Sequence, residues 1–386
     1  MKDKKHLITA CISLALAIAI CVITGINFMK ARELPLPMKG PSVAEVKQLS
    51  DWFPGLKGTN GDTPVYVLKG QQPGGSMLIL GGTHGNEPSG FMSAFTFIET
   101  AVVESGTIYV IPYTNHSGMT HNDPGEGNLQ YFTLTTKSGQ RTFRFGSRAS
   151  NPVDQWPDPD VYVHYPSGQR LSGSETRNIN RAYPGRPDGN LTEKMAYGVA
   201  ELIRQENIGL TFDLHEASPE YPVINATVAH QNAMGIASEG CISLLLEGIE
   251  MSLEQSPTNF HGLTHRELGD YTDTMALLME TANASQGRLR GSTSKRQVLG
   301  GQDKCYEISK ELNMLYVPWE VNGVTGHPIE ERCGRHLQGI FEYSQAYNNA
   351  NPDKPIVYSG VPGYEELFLN APVEDLGGPQ LAKFLM

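Results

Sequence analysis

"MLILGGTHGNEPSG" (Met77–Gly90) decides the reading of this chain. An apolar run stops on two glycines. His84 and Glu87 then appear three positions apart in a turn of Gly, Asn and Pro. A run of this length and composition predicts a buried strand. In α/β sheets, binding sites gather at the carboxyl ends of strands. The glycines permit a sharp turn there, and the turn aims two potential metal ligands at one point.

Working outward, short apolar runs begin at Val65, Thr107, Ile208, Pro222 and Met275. Helical patterns separate several of them: 87–104, 191–207 with Thr192 as the expected N-cap, and 235–253. A further helix is expected to start near Pro328. Strands alternating with helices predict an α/β fold with a mostly parallel (mixed) central sheet and helices on both faces. The stretch from His116 to Gly189 is rich in Gly, Pro, Ser and Asn and reads as long loops. Loops of that length inside a domain are usually functional.

Two more strands end on ionisable residues. "LTFDLHE" ends on His215 and Glu216, and "MALLME" ends on Glu280. Burying an unpaired carboxylate is costly, so these strand ends need a partner. Catalytic zinc supplies one, because it commonly takes two His and one carboxylate and keeps a fourth place open. His84, Glu87 and His215 are the expected ligands of one Zn2+ per chain. Glu280 is the expected general base, taking a proton from the activated water. Glu216 points the other way on a regular strand and is not expected to ligate. Asp213 shares the face of His215 and is either a support for it or a structural hydrogen-bonding group.

The ordered set "GGTHGNEPSG", "NINRAYPG", "FDLHEA" and "LLMETA", from about Pro64 to Ala282, resembles the succinylglutamate desuccinylase/aspartoacylase family of the zinc carboxypeptidase clan. The resemblance implies a zinc carboxypeptidase-like fold, with zinc on His84, Glu87 and His215 and Glu280 as base. It implies that Asn180 and Arg181 bind a substrate carboxylate, a role that suits the two-pronged guanidinium. It also implies an upstream Arg that polarises the scissile carbonyl. Arg170 is the first choice, with Arg177 and Arg148 as alternatives. Relatives carry Asp where this chain has Asn178, so support for one ligand is expected from a neutral amide.

The expected activity is hydrolysis of an amide, removing an acyl group from an amino acid or similar small molecule. The alternative within the clan is a membrane-anchored carboxypeptidase acting on peptides or cell-wall peptides. The alternative from another class is a tethered binding module, which the complete set of ligands and base opposes. The expected substrate carries a carboxylate. "GGTHGNEPSG" lacks the Lys-Ser/Thr of a phosphate-binding loop and the GxGxxG spacing. His261 and His265 are four apart; a second metal there is not expected, whereas His265 is a candidate lining residue, with Tyr183 and Tyr271 as further residues near the site.

The first segment stands apart from this fold. Lys2, Lys4 and Lys5 precede an uncharged run from Leu7 to Phe28, followed by Lys30 and Arg32. The run is as long as a bilayer core requires, roughly 20 residues. No small-x-small cleavage site follows it. The expectation is therefore an uncleaved signal anchor over 1–32 (transmembrane about 7–28), then a Pro-rich linker and lead-in segment over 33–60, then a catalytic domain over 61–386. The leading lysines favour a cytoplasmic N-terminus and an extracytoplasmic domain, although Lys30 and Arg32 weaken that orientation.

Bulk properties agree with such an enzyme. The chain has 386 residues, 39% hydrophobic and 18% charged, enough for a sizeable core. Its formal net charge of -11 argues against a nucleic-acid partner. Five cysteines without a CxxC pair form neither a disulfide framework nor a cysteine metal site.

Overall fold

A computed structural model describes residues 2–123 and 129–386. Its elements are α1 (Lys2–Lys30), β1 (Val43–Gln48), β2 (Pro64–Lys69), β3 (Gln72–Leu80), α2 (Pro88–Thr100), β4 (Val102–Ile111), α3 (Leu191–Glu206), β5 (Leu210–Ala217), β6 (Ala226–Ala229), α4 (Met234–Leu246), β7 (Ser252–Gln255), α5 (Thr264–Tyr271), β8 (Met275–Ala282), α6 (Ile329–Ala350) and β9 (Val357–Ser359). Shorter helices and three two-stranded hairpins complete the described residues.

The sheet is mixed. Its order is β1-β2-β4-β3-β5-β8-β6-β7, and β9 adds to the other end of β4. The central strands β4, β3, β5 and β8 run parallel. The outer strands β2 and β6 run antiparallel to their inner neighbours. Side chains alternate between two cores. Met77, Ile79, Phe212, Leu214 and Met279 face α2, α4 and α6. Leu78, Leu80, Tyr109, Ile111 and Ala276 face α3 and α5. Helices therefore cover both faces, and the parallel strands are buried on both sides, as such strands require.

Several local readings differ from expectation: the helix expected over 87–104 ends at Thr100 before β4, the one over 235–253 ends at Leu246 before β7, and the expected loops of 116–189 include two hairpins. The N-cap of α3 is Asn190, not Thr192: the Asn190 side chain accepts from Glu193 N at 2.9 Å, and Glu193 reaches back to Asn190 N at 3.0 Å. This reciprocal box satisfies two orphan donors, and Thr192 lies inside the helix. The Pro-rich segment after α1 is docked, not free. Tyr113 and Tyr66 donate their hydroxyls to Pro35 O and Pro37 O, each at 2.9 Å, and β1 within 33–60 joins the sheet. The C-terminal region contributes α6, which packs on α2 and α4, and β9, which extends the sheet.

By length and composition, the helix over Lys4–Lys30 is long and apolar enough to cross a membrane, and none of it is buried against the domain. All five cysteines are free.

Candidate metal centre

The tight turn predicted after Leu80 forms because its glycines occupy positions that exclude a side chain. Gly82 has φ +59°, and a Cβ there would lie 2.8 Å from Pro112 O. Glu87 caps the start of α2 with Pro88 behind it. Gly90 lets that helix approach β5 so closely that a Cβ would lie 2.4 Å from Leu214 O. The helix start is thereby held against the end of the strand that carries His215.

His84, Glu87 and His215 are all buried, and one ligand atom of each lies within 4.8 Å of the others. His84 Nδ1 is 2.8 Å from Glu87 Oε1, and His215 Nδ1 is 3.0 Å from Glu87 Oε2. Each imidazole turns its other nitrogen outward. His84 Nε2 meets Asn178 Oδ1 at 3.0 Å, and His215 Nε2 meets Asp213 Oδ2 at 2.8 Å. The Asn178 oxygen also accepts from Asn180 N at 3.0 Å, and as an amide oxygen it can only accept the hydrogen bond from His84 Nε2–H. Asp213 further accepts from Thr83 at 2.6 Å and Thr264 at 2.5 Å. With their Nε2 atoms turned to outer partners, both imidazoles present Nδ1 to the Glu87 carboxylate. Acceptors converging in this way fit a cation, and two imidazoles with one carboxylate suit zinc.

The three side chains shift one another's protonation. Burial would raise the Glu87 carboxyl, but His84 and His215 outweigh it and hold it well below the usual carboxylate range. Burial alone would lower His215, yet Asp213 and Glu87 raise it well above the ordinary imidazole value. His84 is lowered, chiefly by burial.

Glu280 is the register partner of His215 on the adjacent parallel strand, so both side chains leave the same face. Its Oε2 is buried and makes no hydrogen bond among the described residues. Burial pushes its carboxyl up to about 8; His215 opposes the shift and Glu87 adds to it. A cavity of about 630 Å³ opens beside it, lined by His84, Glu87, His215, Glu280, Asn180 and Arg181 among others.

Asn180 presents its Oδ1 to Thr264 N and Oγ1, at 2.8 and 2.9 Å, which leaves its NH2 group as the free end. Arg181 lies over the Phe260 ring at 4.9 Å. Burial and the like charge of Arg148 lower it to about 10.

Arg170, the first choice for the carbonyl-polarising role, does not reach this cavity. It is exposed on a short hairpin strand paired to Val163. Arg177 is tied to Asp158 by two hydrogen bonds at 2.7 and 2.9 Å. Arg148 lines the cavity instead. The available signal was "FGSR": Gly146 packs on Gly85, where a Cβ would lie 2.8 Å from its Cα, and so brings the following Arg to the His84 turn.

Glu216 faces away from the ligands, as strand alternation requires. Its carboxylate is buried against Arg332 of α6 and also accepts from Ser89 N at 3.2 Å and Asn283 Nδ2 at 3.0 Å. Its backbone N–H donates to Glu87 Oε2 at 3.1 Å. His265 is buried, lines the cavity and is lowered to about 3 by burial. His261 pairs with Glu267 at 2.8 Å. Tyr183 and Tyr271 are not among the lining residues.

No protein-family model matches the chain, and no curated protein is similar to it. Solved structures are similar to it. A succinylglutamate desuccinylase/aspartoacylase from Rhodobacter sphaeroides is 15% identical, with a TM-score of 0.35 over 59% of this chain and 54% of that one. The product-bound ectoine utilization protein EutE (DoeB) from Ruegeria pomeroyi is 19% identical, with a TM-score of 0.36 over 57% and 53%. The tripeptide-bound cell shape determinant Csd4 from Helicobacter pylori is 15% identical, with a TM-score of 0.44 over 78% and 58%. The chain thus spans just over half the length of solved structures that include succinylglutamate desuccinylase/aspartoacylase proteins.

Proposed function

We propose that the protein is a zinc-dependent hydrolase that cleaves an amide bond in a substrate bearing a carboxylate. The observation that carries this reading is the pairing of two features at one strand end. Three buried ligand atoms converge within 4.8 Å, and an unpartnered Glu280 oxygen lies on the register neighbour of His215.

His84, Glu87 and His215 would hold the zinc. When bound, it would supply Lewis-acid chemistry, polarising the scissile carbonyl and making water a better nucleophile at neutral pH. The chain's own groups do the rest. Asn180 and Arg181 bind the substrate carboxylate and orient the amide. Arg148 takes the role first given to Arg170 and donates to the scissile carbonyl oxygen as charge develops on it. Glu280 accepts a proton from the attacking water as the C–O bond forms. It returns that proton to the nitrogen as the C–N bond breaks, leaving a carboxylate and an amine. Phe260, stacked on Arg181, holds the guanidinium in place.

An N-acyl amino acid is the first substrate class. A short peptide with a free carboxylate is the second; a cavity of about 630 Å³ has room for either class. The apolar helix supports a membrane-anchored protein, and the lysines that precede it favour a domain on the extracytoplasmic side. The test is hydrolysis of matched panels of N-acyl amino acids and short peptides by the zinc-loaded protein, with Glu280→Gln as control. Turnover of acyl amino acids alone supports deacylation, and turnover of peptides alone supports the second class. Turnover of neither would contradict the hydrolase reading.

A further inference from the structure

The junction between α1 and the domain is fixed, not hinged. Arg32 Nη2 meets Asp154 Oδ1 at 2.6 Å, and both side chains are nearly buried. Asp154 Oδ2 also accepts from Ser117 Oγ at 2.6 Å and Asn60 Nδ2 at 2.8 Å. Arg144 donates to Ala31 O and packs its guanidinium over the Tyr131 ring at 5.1 Å. Asp154 and Arg144 thus bind the foot of the helix, and Tyr113 and Tyr66 bind the segment that follows it.

Beside that foot, Val153 and Trp156 are 67% and 70% exposed. They flank Asp154 itself. At no more than about 3.5 Å per residue, the Trp156 Cα lies within roughly 7 Å of the Asp154 Cα. The other two tryptophans, Trp52 and Trp319, are buried at 6% and 2%. An exposed indole next to a surface valine leaves apolar area in water, and the head-group layer of a bilayer covers an indole while leaving its N–H wet.

We propose that the loop 151–157 rests in the interfacial layer of the bilayer that receives α1, with Trp156 and Val153 as its contact residues. The inference rests on the reading of α1 as a membrane span. Its consequence concerns the site. The same loop reaches back to Arg148 at the cavity, six residues before Asp154, which is no more than about 21 Å of chain. The cavity rim therefore stands near the membrane surface, and substrates are taken from the layer just above the lipid head groups.

The test uses the full chain reconstituted into phosphatidylcholine vesicles, with or without lipids brominated at the upper acyl carbons. No tryptophan lies in α1, so quenching reports the domain alone. The expected result is a loss of tryptophan emission in brominated vesicles that disappears in Trp156→Ala, while the variant still floats with the vesicles. Parent protein that floats with the vesicles without quenching would overturn the inference, as would quenching that persists in Trp156→Ala. Protein absent from the vesicle fraction would overturn the span reading itself and the inference with it.

Discussion

Glu280 and His215 face each other across adjacent parallel strands, in register and on one face of the sheet. One is a ligand candidate whose outer nitrogen is committed to Asp213; the other is a carboxylate whose Oε2 has no partner among the described residues. Under the proposed function, that register sets the group that moves the proton beside a group that holds the metal.

Glu280→Gln should leave zinc content unchanged and lower kcat by about 10²–10⁴-fold, the usual contribution of a positioned general base. Metal analysis beside steady-state kinetics checks it. Loss of zinc together with activity would instead place Glu280 among the ligands.

Arg148 and Arg170 separate by position. Arg148→Ala should lower kcat by about 10²–10³-fold, the cost of losing a donor to developing charge. Arg170→Ala, exposed on its hairpin, should retain parental kinetics. The reverse outcome would restore Arg170 to the role that the family resemblance first suggested.

Behind the ligands, Glu216 and Arg332 form a fully buried pair that ties α6 to the end of β5. Removing one member of such a pair strands a charge, at a cost of about 3–5 kcal/mol. Arg332→Met should therefore destabilise the protein by that order in denaturant titration and weaken zinc binding, because the Glu216 backbone N–H supports Glu87. Replacing both, as Glu216→Leu with Arg332→Met, should recover much of the stability.

Glu331 on α6 supplies a pH dependence. Burial raises its carboxyl, but Arg335 and His327 outweigh burial and hold it at about 2. The unfolded chain therefore binds a proton on this side chain at pH values where the folded chain does not. The stabilisation is complete above the unfolded value of about 4.3 and is lost as pH falls toward 2. The stability difference between the parent and Glu331→Gln should be constant above about pH 5 and shrink below it, as measured by denaturation midpoints. A difference independent of pH would contradict the assignment.

Much of the site was legible because its parts sit on regular elements. His84, His215 and Glu280 follow apolar runs whose period announces a strand, and the structure brings those strand ends together. Glu216 could be set apart from His215 by alternation alone. Arg148 was harder, since it lies in a stretch of the segment 116–189 that belongs to no regular element. Its course depends on distant bonds such as Ser147 N to Gly118 O and on the Gly85–Gly146 approach. The docked Pro-rich segment was hidden for the same reason: Tyr66 and Tyr113, far along the chain, secure it. The α3 cap was present as Asn190-x-x-Glu193, two residues before Thr192.

The metal content of the untagged, detergent-solubilised full chain, beside His215→Ala, decides whether His84, Glu87 and His215 hold a metal. The full chain is the right material, because residues 31–38 are bonded to the domain. One zinc per chain in the parent and a small fraction of that in the variant is the predicted result. Parent protein that takes up no metal when zinc is supplied, or a variant that retains it fully, would contradict the account.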